Sequence, residues 1–92
     1  MAKKFHLTVL TPLKQLYDGD VASLVAPAAL GYLGILADHA PMIASLKEGK
    51  IIIKEISGSD VIFKNQAKGF LEVKNNNVTI VLQTSGVCPF QS

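Results

Sequence analysis

Apolar residues in this chain recur at every second position, in short runs, almost from end to end. The first run, Phe5-His6-Leu7-Thr8-Val9-Leu10, puts Phe5, Leu7 and Val9 on one face and His6 on the other. A period of two marks a strand with one covered face, and no stretch of useful length carries the 3.6-residue period of a helix. Turn chemistry cuts the runs at Thr11-Pro12, Asp18-Gly19-Asp20, Pro27, Glu48-Gly49, Ser57-Gly58-Ser59-Asp60 and Asn75-Asn76-Asn77. Between these signals the pattern predicts about eight strands, over residues 5–10, 21–25, 31–36, 42–46, 50–56, 61–64, 67–74 and 78–84. Spacing of roughly ten residues per strand predicts an all-β fold, a flattened antiparallel β-barrel or sandwich of about 8–10 short strands. Residues 1–92 make one domain, and 85–92 read as a loosely ordered tail.

The segment Gly31-Tyr32-Leu33-Gly34-Ile35-Leu36-Ala37-Asp38-His39-Ala40-Pro41 breaks the regularity most sharply. Gly31 and Gly34 permit positive φ or close backbone approach. Pro41 fixes its own φ and pushes Ala40 toward extended geometry, so a new strand starts there. The polar pair Asp38-His39 is thereby set at the tip of an apolar unit, which reads as a display loop.

Charge is scarce: 17% of residues are charged and 49% apolar, against about 25% charged in a typical soluble domain. Some strands are apolar on both faces. Ile51 and Ile53 point one way and Ile52 and Ile56 the other, while Val81 opposes Val78, Ile80 and Leu82. One buried face is enough for a sandwich, so the surplus predicts a patch reserved for a partner protein. All nine basic residues are lysines, interleaved with acids, and the net charge is only +2. Without arginine the bidentate fork that reads phosphates and base edges is missing, which weighs against nucleic acid. A small barrel that binds a protein or an oligonucleotide is the alternative reading, with few aromatics and no basic groove to support it.

Chemistry finds no foothold. Cys88, His6 and His39 are the candidates for nucleophilic work, and no spacing places a base or an oxyanion donor beside Cys88. Two histidines 33 positions apart, without a second cysteine, make no zinc signature. Gly31-x-x-Gly34 has the spacing of a phosphate-clamping loop but lacks the flanking helices and basic neighbours. Neither catalytic residues, a metal site nor a cofactor is expected. No apolar run approaches the roughly 18 residues of a membrane-spanning helix. The start, Met1-Ala2-Lys3-Lys4, carries no leader pattern, and a single cysteine suits a reducing compartment.

Gly31-Tyr32-Leu33-Gly34-Ile35 followed by His39-Ala40-Pro41 resembles the N-terminal domain of the epsilon subunit of F-type ATP synthases. The likeness continues through Leu46-Lys47-Glu48-Gly49, Gly69-Phe70-Leu71-Glu72-Val73 and Asn77-Val78-Thr79-Ile80-Val81, with Phe5-His6-Leu7 and Tyr17-Asp18-Gly19 upstream. The resemblance implies a flattened barrel of about ten strands with a non-catalytic central-stalk role. It implies docking on the gamma subunit and on the polar loops of the membrane c-ring, passing torque between them. The loop facing the c-ring would comprise Gly31, Tyr32, Leu33, Gly34 and Asp38, and gamma would meet His39, Met42 and Ala44. Such a protein sits peripherally on the cytoplasmic side of the bacterial inner membrane, through its partners only. Where the family commonly carries an acid, this chain has Tyr32, so aromatic contact or a phenol hydrogen bond replaces charge attraction, and Asp38 is expected to restore a negative charge nearby. The two-helix C-terminal domain usual in the family, with its inhibitory switch and ATP site, has no counterpart within these 92 residues.

Overall fold

The computed structural model describes residues 3–65 and 68–83 and the backbone of 88–89. Among these residues nine strands run in order: β1 (Phe5–Leu10), β2 (Gln15–Ala28), β3 (Gly31–Leu36), β4 (Met42–Leu46), β5 (Gly49–Glu55), β6 (Asp60–Asn65), β7 (Gly69–Lys74), β8 (Asn77–Leu82) and β9 (Cys88–Pro89). No helix occurs among the described residues. The expected tail falls on residues outside the described ones, apart from β9, whose backbone pairs with β6.

The long strand β2 organises everything else. Its first half pairs with β1, from Leu10↔Gln15 to Phe5↔Val21. An irregularity between Val21 and Ser23 then re-aims the chain, as a β-bulge does. Beyond it, β2 lies between β3 (Ser23↔Leu36 to Ala28↔Gly31) and β5 (Val21↔Glu55 to Val25↔Ile52). On its other side β1 joins β8 in parallel, and β8, β7 and β4 follow antiparallel. Strand β4 returns to β2 through Ala28↔Leu46, so β2, β1, β8, β7 and β4 form a closed ring. The β5–β6–β9 group and β3 extend from the second half of β2.

Two expectations are corrected here. Asp18-Gly19-Asp20 is no turn; it is the middle of β2, with Asp18 opposite Thr8, Gly19 opposite Leu7 and Asp20 opposite His6. The triplet obeys period two, because both acids project outward while Gly19 lies inside, under the Tyr17 ring. Nor does Pro27 end the strand, which runs on to Ala28 opposite Gly31. Proline's lost donor matters less near a strand terminus.

The core fills the inside of this wrap. Phe5, Leu7 and Val9 meet Val21, Leu24 and Ala26, with Ile35, Leu46, Ile51, Ile53 and Phe63 from one side. Leu71, Val73, Val78, Ile80 and Leu82 close it from the other. The surplus expected from two-faced strands is on the surface: Ile52 and Val81 are half-buried, and Leu30, Leu36, Ile43 and Phe70 are exposed.

Candidate docking site

Strands β3 and β4 are not bonded to each other. Among the described residues β3 pairs only with β2, and β4 touches β2 only at its last residue. The gap between them is a slot of about 410 Å³. Leu33, Met42 and Ala44 line it, and Leu30, Tyr32 and Ile43 stand at its rim. Local sequence explains the shape. Ala29-Leu30 is a two-residue turn closed by Ala28↔Gly31, with Gly31 at φ 133°, a value that disfavours any side chain. Leu30 at its tip is fully exposed. Leu33 and Ile35 then point inward, while Tyr32, Gly34 and Leu36 point out.

The slot brings together Gly31, Tyr32, Leu33, Met42 and Ala44 and leaves the other expected residues elsewhere. Gly34 is on the outer face of β3 with an ordinary φ, and a Cβ built there meets nothing within 4 Å. The expected special backbone role is thus absent. Asp38 and His39 follow the far end of β3, which at roughly 3.4 Å per residue is about 17 Å from Gly31. Asp38 turns the chain at φ 64°. Its carboxylate accepts hydrogen bonds from the Asn76 side chain (3.0 Å) and from Lys3 (2.9 Å), and both hold it below the usual carboxylate range. Its own backbone N–H donates to Asn76 Oδ1 at 2.6 Å. Asp38 therefore supplies no charge beside Tyr32. His39 donates from Nδ1 to the Ala40 carbonyl at 2.8 Å, which leaves Nε2 without a partner among the described residues.

Sequence reasoning missed a polar cluster on the outer face of β1 and β2. Nδ1 of His6 lies 2.9 Å from Asp20 Oδ1, and Nε2 meets Asp18. Lys4 adds an ion pair to Asp20 at 3.3 Å, and Thr8 donates to Asp18 at 3.3 Å. A carboxylate oxygen at each ring nitrogen favours the form that carries both protons, the imidazolium. Bonds to Asp20 and Asp18 hold it above the usual histidine range, and His6 and then Lys4 hold Asp20 below the usual carboxylate range. The available signal was that His6, Asp18 and Asp20 all fall on outward positions of neighbouring strands. Elsewhere, Tyr17 donates to Glu55 at 2.6 Å and packs edge-on to Phe63, tying β2 to β5.

The described residues hold no group of three or more metal-binding side chains. They also hold no helix long and apolar enough to cross a membrane. What the surface offers is an apolar slot with free strand edges, a means of seating a partner.

Comparison with known proteins gives this shape a context. Residues 4–85 match the family described as the ATP synthase, Delta/Epsilon chain, beta-sandwich domain. An ATP synthase epsilon chain of Leptospira borgpetersenii is 41% identical over 80 residues, covering 87% of this chain and 61% of that protein. One from Caulobacter vibrioides is 35% identical, covering 87% of this chain and 91% of that protein. The chain thus spans about three-fifths of the first relatives and nearly all of a shorter one. Among solved structures, a chain of the Euglena gracilis mitochondrial ATP synthase (OSCP/F1/c-ring) superposes with a TM-score of 0.84 at 20% identity. It covers 94% of this chain and 53% of that one. A chain of the Tetrahymena thermophila mitochondrial ATP synthase central stalk and c-ring gives 0.69 at 22% identity, covering 91% and 67%.

Proposed function

The chain belongs to the β-sandwich domain family of ATP synthase delta and epsilon chains, and from that premise we propose that it is a non-catalytic subunit of the central stalk, seated between the gamma subunit and the c-ring. The observation that carries the reading is the slot between β3 and β4, whose walls are Leu33, Met42 and Ala44. Unpaired strand edges offer N–H and C=O groups to an added strand, and the apolar lining offers side-chain pockets. Met42 and Ala44 face gamma across this slot. Gly31, Tyr32 and Leu33, on the adjoining hairpin, face the polar loops of the ring, with Gly34 on the outer side of the same strand. His39 marks the far border of the gamma contact through Nε2, while Asp38, committed to Lys3 and Asn76, stiffens the turn beside it.

In this role the domain has no substrate to bind. Torque passes through contacts between rigid bodies, and a closed ring of short strands deforms little under load. The protein is peripheral to the membrane, held on the cytoplasmic side of the bacterial inner membrane by its partners.

The test is association with purified gamma. The 92-residue chain should co-elute with gamma as a 1:1 complex. Ala44→Asp, which buries an unpaired charge in the contact, should weaken the complex by at least about 30-fold with the circular dichroism spectrum unchanged. Tyr32→Glu should leave gamma binding intact and alter association with the c-ring. Failure to co-elute with folded gamma would overturn the assignment.

A further inference from the structure

Tyr32 has a second neighbourhood, on the side away from the slot. There an open depression of about 780 Å³ is lined by Tyr32, Glu48, Gly49, Lys50, Lys64 and Asn65. Lys50 and Lys64 are register partners on β5 and β6, so their side chains leave the same face directly opposite each other. Like charges in that position destabilise a sheet, and among the described residues neither lysine has a carboxylate within ion-pair distance. Among the described residues Glu48 is the only acid lining the depression. Lys47 belongs to the same corner, since its carbonyl accepts from the Asn65 amide at 3.1 Å and its N–H donates to Pro27 at 2.8 Å. Tyr32 is 63% exposed and its hydroxyl makes no hydrogen bond among the described residues, while Leu30, two residues away, is fully exposed at the hairpin tip.

We propose that this corner is a contact site for an anionic phospholipid surface, with Lys50 and Lys64 on headgroup phosphates and Leu30 dipping below them. An opposed lysine pair relieves its repulsion by sharing one phosphate or two adjacent ones. Tyr32 stands between the apolar tip and the charged depression, where an amphipathic ring with an unpaired hydroxyl fits the headgroup layer. A carboxylate partner would satisfy the lysines equally, but it gives the wholly exposed Leu30 nothing to enter. The inference goes beyond the stalk reading and concerns the chain free of the ring, because ring docking would cover the same hairpin.

The experiment is co-sedimentation of the 92-residue chain with vesicles of phosphatidylglycerol and phosphatidylcholine in equal parts. Binding is expected on these, near background on phosphatidylcholine alone, and lost at about 0.5 M salt. Replacing both lysines (Lys50→Gln with Lys64→Gln) should lower partitioning about 10- to 30-fold. Leu30→Ser should lower it too, and Lys74→Gln, at the far end of β7, should not. Circular dichroism checks that each variant is folded. Absence of binding, equal binding to neutral vesicles, or indifference to the lysine pair would overturn the proposal. So would displacement by soluble polyglutamate as effective as by phosphatidylglycerol, which would assign the corner to an acidic protein. Because gamma binding is measured separately, either result can fail without the other.

Discussion

Gly34 and Gly69 are both framework glycines of the motifs in the sequence, yet a side chain would meet very different surroundings at each. A Cβ on Gly69 would lie 2.1 Å from the Val81 carbonyl oxygen, backbone that cannot step aside. Gly69→Ala is therefore expected to cost about 2–4 kcal/mol. Gly34→Val faces open space on an exposed strand face, where a β-branched residue is favoured. It should change stability by no more than about 0.5 kcal/mol; urea unfolding of the two variants checks both numbers. Sequence alone suggested the special backbone role at Gly34, because the crowding at Gly69 comes from Val81 and Leu82 at the end of the β7–β8 ladder far from its turn. His6 carries the second prediction at this scale. Its folded pKa is raised, so its contribution is complete below the unfolded value of 6.5 and fades as pH rises through the folded value. Asp20 is depressed, so its contribution is complete above 3.8 and is lost as pH falls through its folded value. The His6–Asp20 clasp is thus fully made between 3.8 and 6.5. Ring proton resonances should titrate with a midpoint above 6.5, and His6→Gln should remove the alkaline decline in stability. Alternation put His6 on the outer face, but its acid partners were hidden by reading Asp18-Gly19-Asp20 as a turn.

Strands are where the sequence was most readable and also where it misled. β1, β3 and β4 have the bounds that alternation and Pro41 imply. β2 was read too short because Asp, Gly and Pro are turn residues by habit, and only pairing with β1 and β3 keeps them extended. The β7–β8 hairpin was legible from its asparagines, since Asn75 and Asn76 both take positive φ as a two-residue primed turn demands. What local chemistry could not reveal is that Asn76 also clamps the Asp38 turn through two hydrogen bonds. Asn76→Gly suits the turn and loses the clamp, so a net cost of about 1–2 kcal/mol is expected by thermal or urea unfolding. A gain in stability would mean the clamp contributes nothing. The slot residues were partly legible for the same reason: Leu33, Met42 and Ala44 sit on runs correctly read as strands, whereas the pairing that leaves β3 and β4 apart is a property of the whole sheet.

Closure of the ring was not written in any local pattern. His6 pairs with Asn77 and Leu10 with Val81, partners separated by most of the chain, and no turn signal reports such a contact. A ladder joining the first strand to the eighth means that the core is complete only when both are in place. Deleting residues 1–10 should accordingly abolish cooperative unfolding and leave the amide resonances undispersed, although the β2–β3, β5–β6 and β7–β8 hairpins remain. For the intact chain, dominance of distant pairings predicts single-exponential refolding in the milliseconds-to-seconds range, measurable by stopped flow.

The parallel β1–β8 ladder also has a mechanical consequence. With β2 on one flank and β8 on the other, β1 cannot be peeled away bond by bond when the amino end is pulled along the strand direction. Both flanking ladders must slide at once, as a bolt shears rather than as a zipper opens. Optical-tweezer extension from the two ends would register it as one abrupt, high-force rupture.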